Sequence, residues 1–192
     1  MNTTNLFVEL IVIGAGAFFW LLLFTLSLFG YDWFPWEKVG AATAILLPLL
    51  TVTYVLGIVV DRLADRLFSK WDKRLRYTHG FPNNDEYHIA RNHVYTYAVD
   101  RLIALFEYGR SRLRITRAWS INFVMLTLSS LVFIWTRLSN LPNSNRWMIT
   151  VFCFTLFSFG AGVTFSAWKK LAINDYKRLK ETYDFLVSNK PS

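Results

Sequence analysis

The chain is 192 residues long, 54% hydrophobic and 18% aromatic, with 21 Lys and Arg against 13 Asp and Glu for a net charge of +8. A single cysteine excludes a disulfide-built scaffold, and apolar content this high excludes an intrinsically disordered chain. The apolar residues gather into four runs, 6–29, 39–60, 119–135 and 147–168, each close to the ~20 residues that carry a helix across a hydrocarbon core. The expected fold is all-α: an integral membrane protein with four transmembrane helices and a cytosolic helical bundle formed by their extensions. The expected division is 1–60 for the first two spans, 61–118 for a cytosolic segment, 119–168 for the last two spans and 169–192 for a cytosolic C-terminal helix.

The first run has no Lys or Arg before it, is long, and is followed by no small-residue cleavage site, so it reads as a retained span and not a secretory signal. Glu9 is the only acid within an apolar run, which makes it a functional candidate, although its place near the cytosolic end lets it reach water. Gly14, Gly16 and Ala17 form a small-residue face suited to close helix packing. Beyond this span, Asp32, Trp33, Phe34, Pro35 and Trp36 make an aromatic hinge of the kind that anchors at a membrane interface. In the second run, Pro48 frees the carbonyl of Ala44, and Thr51, Thr53 and Tyr54 follow. A kinked, partly polar helix of that composition lines a pore or is satisfied by its neighbours.

The segment 61–117 holds twelve basic and seven acidic residues, and the tail after Trp168 holds six and three. Lys38, Arg137 and Arg146 are the only cations in the other two links, so the positive-inside rule places both termini and the long segment on the cytosolic side of the cell's inner (plasma) membrane. Leu63, Leu67, Trp71 and Leu75 continue the second helix past its span, and Gly80 with Pro82 stops it. Asn83 and Glu86 then have the spacing of a helix N-terminal cap, with Asp85 favouring the same end. A straight helix over 85–117 would extend about 48 Å, against about 26 Å for the arm over 61–78, at ~1.5 Å per residue. The mismatch predicts a bend near Gly109.

Two charged constellations stand out. Asp61 and Asp65 lie four apart on one helical face and need external partners, which the Arg110, Arg114 and Arg117 stripe can supply. Antiparallel pairing sets Arg117 opposite Asp61 and Arg114 opposite Asp65. The same acids, repeated around an axis, would instead form a cation-favouring ring at the mouth of a pore. The second constellation mixes Lys70, Lys73, Arg74, Arg76, Arg91, Arg101, Arg110 and Arg112 with Trp71, Tyr77, Tyr87, Tyr95, Tyr97 and Tyr108. Cations neutralise phosphates and aromatic faces stack on bases, so Lys70, Lys73, Arg74, Arg76, Arg91, Tyr95, Tyr97 and Arg101 are the candidate contacts for a nucleotide or single-stranded oligonucleotide. Targeting to the cytosolic side and attraction to anionic lipid explain the same cations without a ligand.

No catalytic residue is expected. The five-residue spacing of His88 and His93 does not place two metal ligands on one helical face, and with His79 they read as surface or turn residues. No phosphate loop, dinucleotide fingerprint or nucleophile elbow is present, and no cofactor is implied. In the fourth run Thr155, Ser158, Gly162 and Ser166 form a small-residue strip that seals the four helices of one protomer or joins protomers. Cys153 falls in the same run and reads as a packing residue. Tyr176, Leu179, Tyr183 and Leu186 give the tail one buried seam against the other cytosolic helices.

In layout, through its four spans, the Lys70 to Arg76 cluster and the EYGRSRLRITRAW run from Glu107 to Trp119, the chain resembles the membrane effectors of bacterial anti-phage systems. The channel subunit of Hailong defence and the membrane subunit of Kiwa are the two it looks like. The resemblance implies a homo-oligomeric channel, or membrane-disrupting effector, of four or more chains gated by a cytosolic anionic ligand such as an oligonucleotide or nucleotide. The other expectation is a non-conducting anchor or sensor for a cytosolic partner protein.

Overall fold

A computed structural model describes residues 3–30 and 46–188. Its helices are α1 (Thr3–Phe29), α2 (Leu46–His79), α3 (Asn84–Tyr97), α4 (Asp100–Arg137) and α5 (Asn143–Ser188), with no strand among the described residues. The fold is all-α, and α1, α2, α4 and α5 are each long and apolar enough to cross a membrane. The 46 residues of α5 make a rod of about 69 Å at ~1.5 Å per residue, so one helix serves both the apolar half of the molecule and its charged half. α2 and α4 likewise run unbroken through both halves.

In the apolar half α1 packs between α2 and α4, and α5 packs along α4. Glycine decides the first contact. A Cβ on Gly14 would overlap the carbonyl of Thr53, and one on Gly57 would overlap the carbonyl of Leu10, so the α1 and α2 backbones touch. Helices in lipid associate through such close packing because lipid tails are as apolar as Leu. Ile13, Ala17, Val60, Ala64 and Ala118 fill the centre beneath this crossing. Polar side chains tie the remaining helices. Asn122 is fully buried on α4, donates from Nδ2 to the Ile13 carbonyl at 2.9 Å and accepts from Trp20 Nε1 at 3.3 Å. Ser120 Oγ donates to Thr164 Oγ1 at 3.1 Å, joining α4 to α5.

The strip on α5 faces the other way. Ser158, Gly162, Ser166 and Thr155 are exposed, and Gly162 has nothing within 4 Å of a Cβ built on it. The expectation that this strip seals the protomer is therefore corrected: α4 meets α5 through Gly160, whose Cβ position lies 2.9 Å from the Phe123 ring, and backbone-to-backbone contact within the protomer is made at Gly14 and Gly57. Only 6% of the most apolar stretch of α5 is buried, against 44% for α4.

At the end of the apolar half away from the charges, Arg137 closes α1. Its Nε donates to the Leu26 and Ser27 carbonyls at 3.1 and 2.9 Å and its Nη2 to the Leu28 carbonyl at 2.6 Å. These carbonyls have no partner within the helix, and a cation beside them complements the negative helix end. Gly30, at φ +80°, turns the chain away by donating its N–H to the Leu26 carbonyl. The aromatic hinge from Asp32 to Trp36, Lys38 and the Ala44 carbonyl lie outside the described residues. Pro48 falls in the first described turn of α2, which is continuous from there to His79.

In the charged half, α2 stops at Gly80 and the Asn83 cap starts α3. Asn83 Oδ1 accepts the Glu86 N–H at 2.8 Å, and its Nδ2 returns to Glu86 Oε1 at 3.1 Å. The bend expected near Gly109 is not there. The chain breaks ten residues earlier, where Ala98 and Val99 take extended backbone angles between α3 and α4, and α4 passes straight through Gly109. Gly109 serves packing instead: a Cβ there would stand 3.3 Å from Asp175 Oδ1 on α5. The break lets α3 fold back onto α5, where Phe81, Ala90, Val94, Phe106 and Leu179 form a second core with Tyr183 and Leu186 against it. Tyr176 and Leu179 are buried in the seam read from the sequence.

Candidate functional site

The two halves meet at a layer of charge. Asp61 and Asp65, one turn apart on α2, face α4, and Arg114 binds Asp61 through Nη2 to Oδ2 at 2.8 Å and Nε to Oδ1 at 3.4 Å. Arg117 Nη1 binds Asp65 Oδ1 at 2.7 Å, with its Nη2 3.6 Å from Asp61 Oδ1. The register is shifted from the one expected, in which Arg117 stood opposite Asp61 and Arg114 opposite Asp65. A third carboxylate joins the layer: Glu9 of α1 lies 3.6 Å from Arg114 Nη1, so Arg114 stands between Glu9 and Asp61 while Arg117 reaches Asp65.

Glu9 does not reach water. It is 5% exposed, and its Oε2 has no hydrogen-bond donor among the described residues. Three carboxylates thus share two guanidiniums at the base of the apolar half. Asp61 and Glu9 are buried and Asp65 is 61% exposed, so removing Arg114 strands buried charge at a cost of up to ~3–5 kcal/mol, whereas the Arg117–Asp65 pair contributes far less.

Below this layer Asp72, Arg76, Tyr87 and Tyr176 lock three helices together. Tyr176 Oη donates to Asp72 Oδ1 at 2.6 Å, Arg76 Nη2 donates to Asp72 Oδ2 at 3.1 Å, and Arg76 Nη1 donates to Asn84 Oδ1 at 2.6 Å. The Arg76 guanidinium also stands 4.1 Å over the Tyr87 ring. Burial first, then Asp72, pushes the Tyr176 hydroxyl well above the usual phenol range, so it stays a donor. Burial pushes the neighbouring Asp175 carboxyl up to about 6 against the opposing pull of Arg110, Arg178 and Arg91.

The ion-pair layer and the lock line one crevice of about 620 Å³. Leu6, Leu10, Tyr54 and Ile58 form its apolar end; Arg62 and Arg110 stand in its middle; Tyr87, Asp175 and Tyr176 form its other end. Neither Arg62 nor Arg110 makes a hydrogen bond or ion pair among the described residues, which the layer's other two guanidiniums do. Both arginines are exposed.

The residues read from sequence as a nucleotide contact do not form one surface. Lys70, Lys73 and Arg74 are exposed on α2, whereas Arg76 is held in the lock and Arg91 lies half-buried with its guanidinium 5.6 Å over the Tyr95 ring. Tyr95 packs against the second core, while Tyr97 and Arg101 are exposed on either side of the α3–α4 break. No contact among the described residues joins Lys70, Lys73 or Arg74 to Tyr97 or Arg101. Thr51 is exposed and returns its hydroxyl to the Leu47 carbonyl at 3.0 Å, and the Tyr54 ring lies 5.1 Å from Phe7.

The histidines stay apart as ligands: no group of three metal-binding side chains occurs among the described residues. His93 is not a surface residue, since its ring packs 4.6 Å from Tyr97 and 5.4 Å from Tyr183. Sequence reasoning missed the Glu9 contact, the Tyr176–Asp72 bond and the pair Arg62 and Arg110. The spacing of Arg62 from Asp61 carried no signal, because adjacent helical residues point about 100° apart and only the packing of α4 decides which is paired. The chain matches no family model, no curated protein and no solved structure.

Proposed function

We propose that the chain is a homo-oligomeric channel or membrane-disrupting effector of the inner membrane, of the anti-phage kind, with both termini cytoplasmic and gating by a cytosolic anionic ligand such as a nucleotide or oligonucleotide. The observation that carries this reading is the outward strip Thr155, Ser158, Gly162 and Ser166 on a span that is 6% buried. A small-residue face lets two helices approach closely in lipid, and within the protomer this one meets no helix. Conduction also requires assembly. The centre of the protomer is filled by Ile13, Ala17, Val60, Ala64 and Ala118, so an aqueous path would lie on an axis between protomers. The exposed cations Lys70, Lys73 and Arg74 supply the anion-attracting face.

The test is disulfide cross-linking of Gly162→Cys in membranes, in the Cys153→Ser background, combined with planar-bilayer recording of the purified protein. The expected result is a closed ladder of oligomers and conductance that responds to nucleotide. A monomer in native membranes, without conductance, ends this reading. The second reading, a non-conducting anchor or sensor for a cytosolic partner protein, is favoured by Tyr97, Val99 and Tyr108, which are 62, 75 and 61% exposed around the α3–α4 break. Exposed aromatic and apolar side chains suit a protein contact.

A further inference from the structure

The crevice between the two halves is graded along its length. One end is walled by Leu6, Leu10, Tyr54 and Ile58, all on the segments of α1 and α2 that belong to the apolar half. Its middle presents Arg62 and Arg110, two exposed guanidiniums on different helices without a hydrogen bond or ion pair among the described residues. Its carboxylates nearest the pair are engaged elsewhere: Asp61 with Arg114, Asp65 with Arg117, and Asp72 with Tyr176 and Arg76. Asp175 faces Arg110 from α5, its carboxyl raised by burial to a pKa of about 6, and no hydrogen bond or ion pair joins the two among the described residues. A ligand matching this gradient carries an anion at one end and hydrocarbon at the other.

We infer that the crevice is a phosphate-ester site, in which Arg62 and Arg110 hold the phosphate of an anionic phospholipid whose acyl chain lies against Leu6, Leu10 and Ile58. A guanidinium offers paired donors that fit phosphate oxygens, and two of them from separate helices clamp the group from both sides. The 620 Å³ of space accommodates a headgroup and the first part of a chain, and the crevice is open, so the remainder of the lipid stays in the bilayer. Arg66, Lys70 and Arg74 continue the Arg62 row at four-residue spacing but lie outside the crevice, so they attract the same surface without defining a site. The inference needs neither an oligomer nor conduction and stands apart from the function proposed above.

The full-length protein is placed in phosphatidylcholine discs titrated with phosphatidylglycerol, and bound lipid is read by native mass spectrometry and by lipid protection against thermal unfolding. The expected result is saturable phosphatidylglycerol binding that weakens about tenfold for Arg62→Gln and again for Arg110→Gln, as lost charge-assisted hydrogen bonds of ~1.5–3 kcal/mol imply. Arg74→Gln, a cation of the same row outside the crevice, is expected to change it by less than about twofold, as exposed surface charges do. Ile58→Trp, which fills the apolar end without altering charge, is expected to reduce binding as well. Equal losses for Arg74→Gln and Arg62→Gln would reduce the effect to surface charge and overturn the site. Saturation by glycerol 1-phosphate as tight as by the lipid would overturn the lipid assignment, and binding unchanged in both crevice variants would overturn the clamp.

Discussion

Asp175 is a carboxylate on which burial outweighs the neighbouring cations. Its folded pKa of about 6 stands above its ordinary 3.8, so the folded protein holds a proton that the unfolded chain has released between those values. Stability therefore falls as pH rises from about 4 to about 6 and stays low above it, the reverse of the usual carboxylate, whose folded value is depressed. The groups facing it are Arg110, Arg178 and Arg91, which oppose the shift, and Asp72, which adds to it. Asp175→Asn keeps the shape and removes the titration. In detergent, its unfolding midpoint is expected to be flat over that window, with a gain on the order of 3 kcal/mol at neutral pH relative to the parent. A parent protein whose stability is already flat from pH 4 to 6 would show that the neighbouring arginines cancel burial. Nothing in the sequence marks this carboxylate, because it packs beside Gly109, a residue of a different helix more than sixty positions earlier in the chain.

At the scale of the elements, two glycine-containing faces read alike in sequence and differ in use. Gly14 and Gly57 hold α1 against α2 backbone to backbone, whereas Gly162 meets nothing in the protomer. Gly14→Ala or Gly57→Ala is expected to lower protomer stability by ~1–3 kcal/mol through overpacking, read as an unfolding midpoint in detergent. Gly162→Ala is expected to leave that midpoint within about 0.5 kcal/mol while weakening association in membranes. Equal loss of midpoint from all three would mean that α5 packs through its strip after all. Local signals were legible where the cause is local: hydropathy marked the spans, the Asn83 to Glu86 spacing marked the start of α3, and helical periodicity marked the Tyr176 to Leu186 seam. The α3–α4 break was not, since Val99 has no side-chain cap hydrogen bond and Gly109 supplied a more conspicuous but wrong candidate. The Arg137 closure of α1 joins residues more than a hundred positions apart, and no pattern within either helix announces it.

For the whole molecule, the second core constrains topology before any rule about charge is applied. Phe81, Ala90 and Val94 from the segment between α2 and α4 share that core with Leu179 from the far end of α5. Two parts of one packed core cannot lie on opposite sides of a bilayer, so position 84 and the C-terminal end of α5 must face the same compartment. The sign is set separately: twelve basic residues in 61–117 and six after Trp168 favour the cytosol. Reporters inserted at Asn84 and fused after Ser192 are therefore expected to agree with each other and to read cytosolic. The two parts of this prediction fail differently. Agreement on the periplasmic side would reverse the orientation and with it the access of any cytosolic ligand, while leaving the bundle and its crevice intact. Disagreement between the reporters would separate Leu179 from Val94 by a membrane, and neither the second core nor the Tyr176–Asp72 lock would survive that separation.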